Sequence, residues 1–287
     1  MFTVGPRKDA LENIELRDSD SKSFAALAPS RGGMVTRLAL NGRHAFFLDE
    51  ATLRDPSKSV RGGNPVLFPS PGKLVGDAFE REGKRGAMKQ HGFARSLPWE
   101  VVSTGTDGAA SATLRIASND ATRREYPWDF VAEITYAVRG GLLRTDLRVT
   151  NTGSDPMPFG AGFHPYFHVK QSEKKDVNVE TAATRAFDNV AKKEVALTRI
   201  DLTRPEVDLH LLDHGGSSSA LAWPNGRVAM RASSEFSHWV VWTLAGKDFV
   251  CLEPWTAPGN ALNTGAGLLF VAPGESRALW VEYELTR

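Results

Sequence analysis

Cysteine is almost missing: Cys251 stands alone among 287 residues. That excludes an internal disulfide framework and any zinc site built on several cysteines. Net charge is nearly missing too, with 35 Lys and Arg against 34 Asp and Glu. No overall field therefore draws the chain to nucleic acid or to an anionic membrane. No apolar run approaches the roughly 18 residues of a membrane span. The first residues, MFTVGPRKDALENIELRD, turn polar at once and lack the apolar centre of a signal peptide. The expectation is a soluble, cytoplasmic protein. Helical periodicity is scarce as well. Residues 186–197 come nearest to an amphipathic helix, and weakly.

The chain does contain frequent punctuation and a period of two. Its 26 glycines and 16 prolines are scattered and divide it into short elements. Ala132, Ile134, Tyr136 and Val138 share one face of a run, and Leu143, Leu147 and Val149 share one face of the next. Gly140-Gly141 between them signals a β-hairpin. Leu279, Val281, Tyr283 and Leu285 repeat the alternation near the end. MVTRLAL, HAFFL, ATLRIA, HWVVWTL and FVCLE are further strand candidates. No shift in composition marks a boundary. The reading is all-β: one antiparallel domain over residues 1–287, large enough to need two packed sheets.

Several familiar motifs fail. Gly160-Ala161-Gly162 lacks the third glycine and the helix of a dinucleotide site. Neither a phosphate-cradling G-x-x-x-x-G-K-[ST] nor a G-x-S-x-G is present. His164 and His168 are four apart, but Pro165 favours an extended segment, which would hold the rings roughly 13 Å apart.

Four segments ask for more than a β domain needs. Arg61-Gly62-Gly63-Asn64-Pro65-Val66-Leu67-Phe68-Pro69 fixes an irregular loop with an arginine at its mouth. A bulged edge strand with a surface arginine fits it equally. Gln90-His91-Gly92-Phe93-Ala94-Arg95 sets a histidine and an arginine around a close-approach glycine, although a lone histidine is more often just a satisfied polar group. Phe163-His164-Pro165-Tyr166-Phe167 puts a histidine among aromatics, either as a hydrogen-bonded core group or as a proton-transfer group. Phe249-Val250-Cys251-Leu252-Glu253-Pro254-Trp255 ends an apolar run on a carboxylate. Burial would raise its basicity, as suits a general base, whereas a strand end would leave it exposed.

In that order, and with Glu206-Val207-Asp208-Leu209 between the third and fourth, these segments resemble the aldose 1-epimerase, or galactose mutarotase-like, family over roughly residues 34–285. The resemblance implies a β-supersandwich. It implies a cofactor-independent isomerase that interconverts the α and β anomers of a hexose by opening and closing the ring, with no metal. Glu253 would take the proton from O1, His164 would protonate the ring oxygen, and His91 would hold that oxygen. Arg61, Arg95 and Asp208 would bind the sugar, and Trp255 would pack an aromatic face on it. This division of labour requires Glu253 ionised while His164 is protonated. The expected partner is a small sugar, bound by a monomer or homodimer. Free aldose is the expected substrate. A hexose 6-phosphate, bound through Arg61, Lys89 and Arg95, is the alternative, and a non-catalytic sugar-binding module on the same fold is another.

Overall fold

The structure is a computed structural model, and it describes residues 1–224 and 226–286. Strands dominate, and the longest helix among the described residues has six residues. One eight-stranded antiparallel sheet runs, in spatial order, Asn178–Glu180, Ser218–Trp223, Gly226–Ala232, Ser276–Thr286, Leu142–Asn151, Phe130–Arg139, Ala110–Ala117 and Glu100–Gly105. A second sheet runs Lys193–Ala196, Arg185–Asp188, Glu206–Leu211, His238–Leu244, Phe249–Trp255, Gly162–Phe163 and Val66–Leu67. Tyr166–His168 also pairs with Phe249–Trp255 in that sheet. A meander of five strands, from Phe2–Lys8 to Arg43–His44, lies against Ala110–Ala117 and Phe130–Arg139.

The Gly140-Gly141 hairpin forms as its alternation predicts, with Phe130–Arg139 and Leu142–Asn151 paired along their full length. HAFFL is less regular. Only Arg43–His44 is a strand, and Phe46 and Leu48 make isolated bridges that pass the chain between sheets. Residues 186–197 hold two short antiparallel strands, Arg185–Asp188 and Lys193–Ala196, rather than a helix.

The apolar faces of both large sheets join one continuous core, including Leu147, Val228, Val281 and Tyr283 from the first and Val207, Leu209, Trp239, Val241 and Leu252 from the second. Phe68 is fully buried at the hub of an aromatic cluster. Its ring meets those of Phe93, Tyr126, Phe130 and Phe159 at centroid distances of 5.1–6.4 Å. Such pairs add about 0.5–1.5 kcal/mol each beyond area burial. This cluster anchors the two loops that carry Arg61 and His91. The other face of the second sheet mixes two smaller apolar clusters, around Trp255 and around Tyr166, with buried ionisable groups.

Candidate active site

Strand register explains why so many polar side chains share that face. Successive side chains on a strand alternate between faces, so Cys251, Glu253 and Trp255 point the same way. On the next strand the pairings Trp255–His238, Glu253–Val240 and Cys251–Trp242 place those partners on the same face. One strand further, Val240 pairs with His210 and Trp242 with Asp208. The alternate residues of that strand, Val207, Leu209 and Leu211, are buried against the core instead.

The two glycine loops close the face from its other side. In the first, Gly63 has φ of 63° and lies so close to the Val35 carbonyl that a Cβ would overlap it. Asn64 crosses the core and donates from Nδ2 to the Tyr283 hydroxyl at 2.9 Å. In the second, Gly92 has φ of 69°, and a Cβ there would strike the Phe68 carbonyl. That carbonyl accepts from the backbone N–H of both Phe93 and Ala94. His91 itself sits at φ 71°, an uncommon conformation for a side-chain-bearing residue. It is held there by Gly72, whose carbonyl accepts from the His91 N–H at 2.7 Å and whose N–H donates to His91 Nδ1 at 3.0 Å. Nδ1 is therefore an acceptor, and the neutral ring carries its proton on Nε2.

These elements bring His91, His164, Glu253 and Trp255 together. His164 Nε2 lies 3.4 Å from Glu253 Oε1. The Trp255 indole N–H donates to Glu253 Oε2 at 3.1 Å. Oε2 is thus occupied as an acceptor, and Oε1 is the oxygen that gains or loses a proton facing His164. Tyr166 stacks on His164 with 4.7 Å between centroids and 9° between planes. His91 meets both His164 and Trp255 edge to face at 5.5 Å. Arg61 lies over the Trp242 ring at 5.2 Å, and Arg95 donates to the Gln90 carbonyl at 2.8 Å. Asp208 accepts from the Asn189 amide at 2.7 Å.

Burial decides the protonation of the central pair. Glu253 is 1% exposed and His164 8%. Desolvation, with Asp208 adding to it, pushes the Glu253 carboxyl well above the usual range, against the Trp255 bond and Arg95. Desolvation, with Arg95 and Arg61 adding to it, pushes the His164 imidazole down to about 3. Desolvation first, then His164, also holds His91 well below its ordinary value. Each member disfavours its own charged form. Burial therefore favours the protonated form of Glu253 and the neutral form of His164. That direction runs against an ionised carboxylate beside a protonated imidazole in the free protein. The cause is that both groups sit under the aromatic layer of Tyr166, Trp242 and Trp255, out of water.

One further expectation changes. Trp255 is 3% exposed and is flanked by His91, His210 and His238, so it supports Glu253 rather than offering an open face. Lys89 is exposed, with Glu125 among its charge neighbours. Among the expected cations, Arg61 and Arg95 alone act on His164. The sequence reading missed His210 and His238, gave no role to Tyr166 or Trp242, and counted Cys251 only as a lone cysteine.

His164, Cys251 and Glu253 each present one potential metal ligand, all within 4.8 Å of one another. A soft divalent cation there would need the same Nε2 and Oε1 that face each other over the shared proton, so metal and proton compete for one place. A hollow of about 660 Å³ lies at Glu180, His214, Arg227 and Glu284, beside the other sheet. Its groups are already engaged: Arg227 holds Glu180 through two nitrogens, and both ring nitrogens of His214 are bonded.

An opposed imidazole and carboxyl among aromatic rings, with two arginines near them on an antiparallel β-sandwich, define a candidate acid–base site for a polar ring. The chain belongs to the aldose 1-epimerase family, whose model matches residues 14–284. It is similar over its whole length to the Slr1438 protein of Synechocystis sp. PCC 6803, with 37% identity, coverage of 100% and 99% of the two chains, and a TM-score of 0.93. A galactose 1-epimerase from Lactobacillus acidophilus NCFM shares the fold, with a TM-score of 0.75 at 14% identity over 100% and 98% of the chains. A curated protein of Cenchrus ciliaris, named "Putative glucose-6-phosphate 1-epimerase", is 29% identical over 195 residues. That match covers 64% of this chain and 55% of that protein's length. No helix among the described residues is long and apolar enough to cross a membrane.

Proposed function

We propose that the protein is an aldose 1-epimerase that interconverts the α and β anomers of a hexose. The observation that carries this reading is the buried His164–Glu253 pair, with 3.4 Å between Nε2 and Oε1. Opening a pyranose moves one proton off O1 and one onto the ring oxygen. Rotation about C1–C2 then exposes the other carbonyl face, and closure reverses both transfers. The pair has the capacity for this because it holds one proton over two sites. In the complex that opens the ring, Glu253 carries the charge and takes the O1 proton while His164 delivers its proton to the ring oxygen. The products of that step are neutral, a protonated carboxyl and a neutral imidazole, which is the state burial favours. His91 Nε2–H is the donor left to hold the ring oxygen. General acid–base catalysis of this kind supplies roughly 10²–10⁴-fold per group.

A free hexose is the primary reading of the substrate. Arg61 and Arg95 at the rim favour a second, a hexose 6-phosphate, because guanidinium groups match phosphate oxygens in a fork geometry. Polarimetry of freshly dissolved α-glucose and α-galactose, with anomer exchange of glucose 6-phosphate followed by NMR, tests both. Acceleration above the buffer rate supports the activity, and its ranking over the three sugars identifies the substrate. No acceleration of any of them counts against it.

A further inference from the structure

His210 and His238 lie on the same sheet face as Glu253, and the proton-transfer scheme leaves both unused. His210 Nδ1 and His238 Nε2 are 2.9 Å apart, a hydrogen bond that needs one proton from one of the rings. His210 Nε2 faces Asp208 Oδ1 at 3.6 Å. That is an electrostatic contact rather than a hydrogen bond, yet it has a sign. A carboxylate oxygen only accepts, so it attracts an N–H and repels a bare ring nitrogen. His210 therefore carries its proton on Nε2 and accepts at Nδ1. His238 must then donate from Nε2, which leaves His238 Nδ1 bare. Both rings rest on Trp255, at 5.5 Å and 5.8 Å between centroids, so they share a support with Glu253.

We propose that Asp208, His210 and His238 form an oriented chain presenting acceptors to the substrate, and that this wall fixes which way round the sugar binds. The inference takes from the epimerase reading only that the ligand is a sugar. Glu253, Val240 and His210 are in register on adjacent strands. Asp208 and His210 stand two strand spacings of about 4.8 Å from the strand of Glu253, roughly 10 Å, and His238 stands one spacing away and two residues along. A sugar hydroxyl both donates and accepts, so polarity alone does not orient it. Here the two sides of the cleft differ. Arg61 and Arg95 only donate, while His238 Nδ1 and Asp208 only accept. Hydroxyls on the wall side must donate. An anionic substituent is turned away from the wall and towards the arginines. His210 and His238 are positioning and specificity residues, outside the proton transfers.

The test separates this claim from the activity. ¹⁵N-histidine NMR of the sugar-free protein at neutral pH should show both His210 and His238 as neutral Nε2–H tautomers. A proton on His238 Nδ1 overturns the proposal. His238→Leu should weaken glucose binding by about tenfold, read as Kd from tryptophan fluorescence and as KM, with kcat within about twofold. His238→Gln supplies an amide donor to His210 and a carbonyl acceptor to the sugar, and should restore binding to within about threefold. Unchanged glucose binding in His238→Leu, a fall confined to kcat, or no rescue by glutamine overturns it. If glucose binds in a His238-dependent way but its anomers do not exchange faster, the epimerase reading falls and the wall stands.

Discussion

A carboxyl as deeply buried as that of Glu253 destabilises the fold whenever it ionises. Its folded pKa is raised while its unfolded pKa stays near 4.5. Below 4.5 both states hold the proton and the group has no effect. As pH rises from there towards the raised folded value, the unfolded chain releases a proton the folded chain keeps, so stability falls. Glu253→Gln removes this dependence. The variant should melt at a higher temperature than the natural protein, with a gap that widens from pH 5 to pH 8, measurable by calorimetry. It should also lose about 10²–10⁴-fold in kcat, a trade common at active sites. The pH profile carries a second signature. Because the pair titrates as a unit, its two limbs belong to the pair. The alkaline limb follows loss of the Glu253 proton, and the acid limb waits until the pair gains a second proton, near the value of about 3 for His164. No acid limb should therefore fall in the ordinary imidazole range near 6.5. A clear acid limb centred there would contradict the desolvated pair.

At the scale of elements, two loops do the positioning, and both depend on backbone that a side chain would obstruct. Gly92→Ala would force the Phe68 carbonyl and the His91 turn apart. Activity should drop by more than tenfold, and calorimetry should show a lower Tm. Phe68→Ala empties the centre of the aromatic cluster and should cost about 3–5 kcal/mol in denaturant unfolding. The strands themselves were legible because alternation is a local property: Phe130–Arg139, Leu142–Asn151 and His238–Leu244 lie where the period of two puts them. The loops were legible only as glycine and proline clusters. His210 sits two residues after Asp208, and His238 four before Trp242, even offsets that place each pair on one face. That much was available from sequence. Which strand lies beside which was not, because register between Glu206–Leu211, His238–Leu244 and Phe249–Trp255 is set by packing across the whole sheet. The His210–His238 bond therefore stayed hidden. The protonation of His164 and Glu253 was hidden for the same reason, since depth of burial is a property of the finished fold.

For the whole molecule, two large sheets put an apolar core between them and leave ionisable groups on the other face of one. The cationic side of that face bears on substrate choice. Arg95→Ala should raise KM for glucose 6-phosphate by about tenfold or more if phosphate binds there, through loss of a charge-assisted bond of about 1.5–3 kcal/mol. KM for glucose should move by less than about threefold in the same variant. An equal rise for both sugars would assign Arg95 to general upkeep of the cleft.

The central claim is that one proton shared by His164 and Glu253 drives anomer exchange. Its most direct test is the exchange rate of α-glucose, α-galactose and glucose 6-phosphate above the buffer background, in the natural protein and in folded Glu253→Gln. The account predicts clear acceleration of at least one sugar by the natural protein and a loss of about 10²–10⁴-fold in the variant. Undiminished exchange in Glu253→Gln would contradict it.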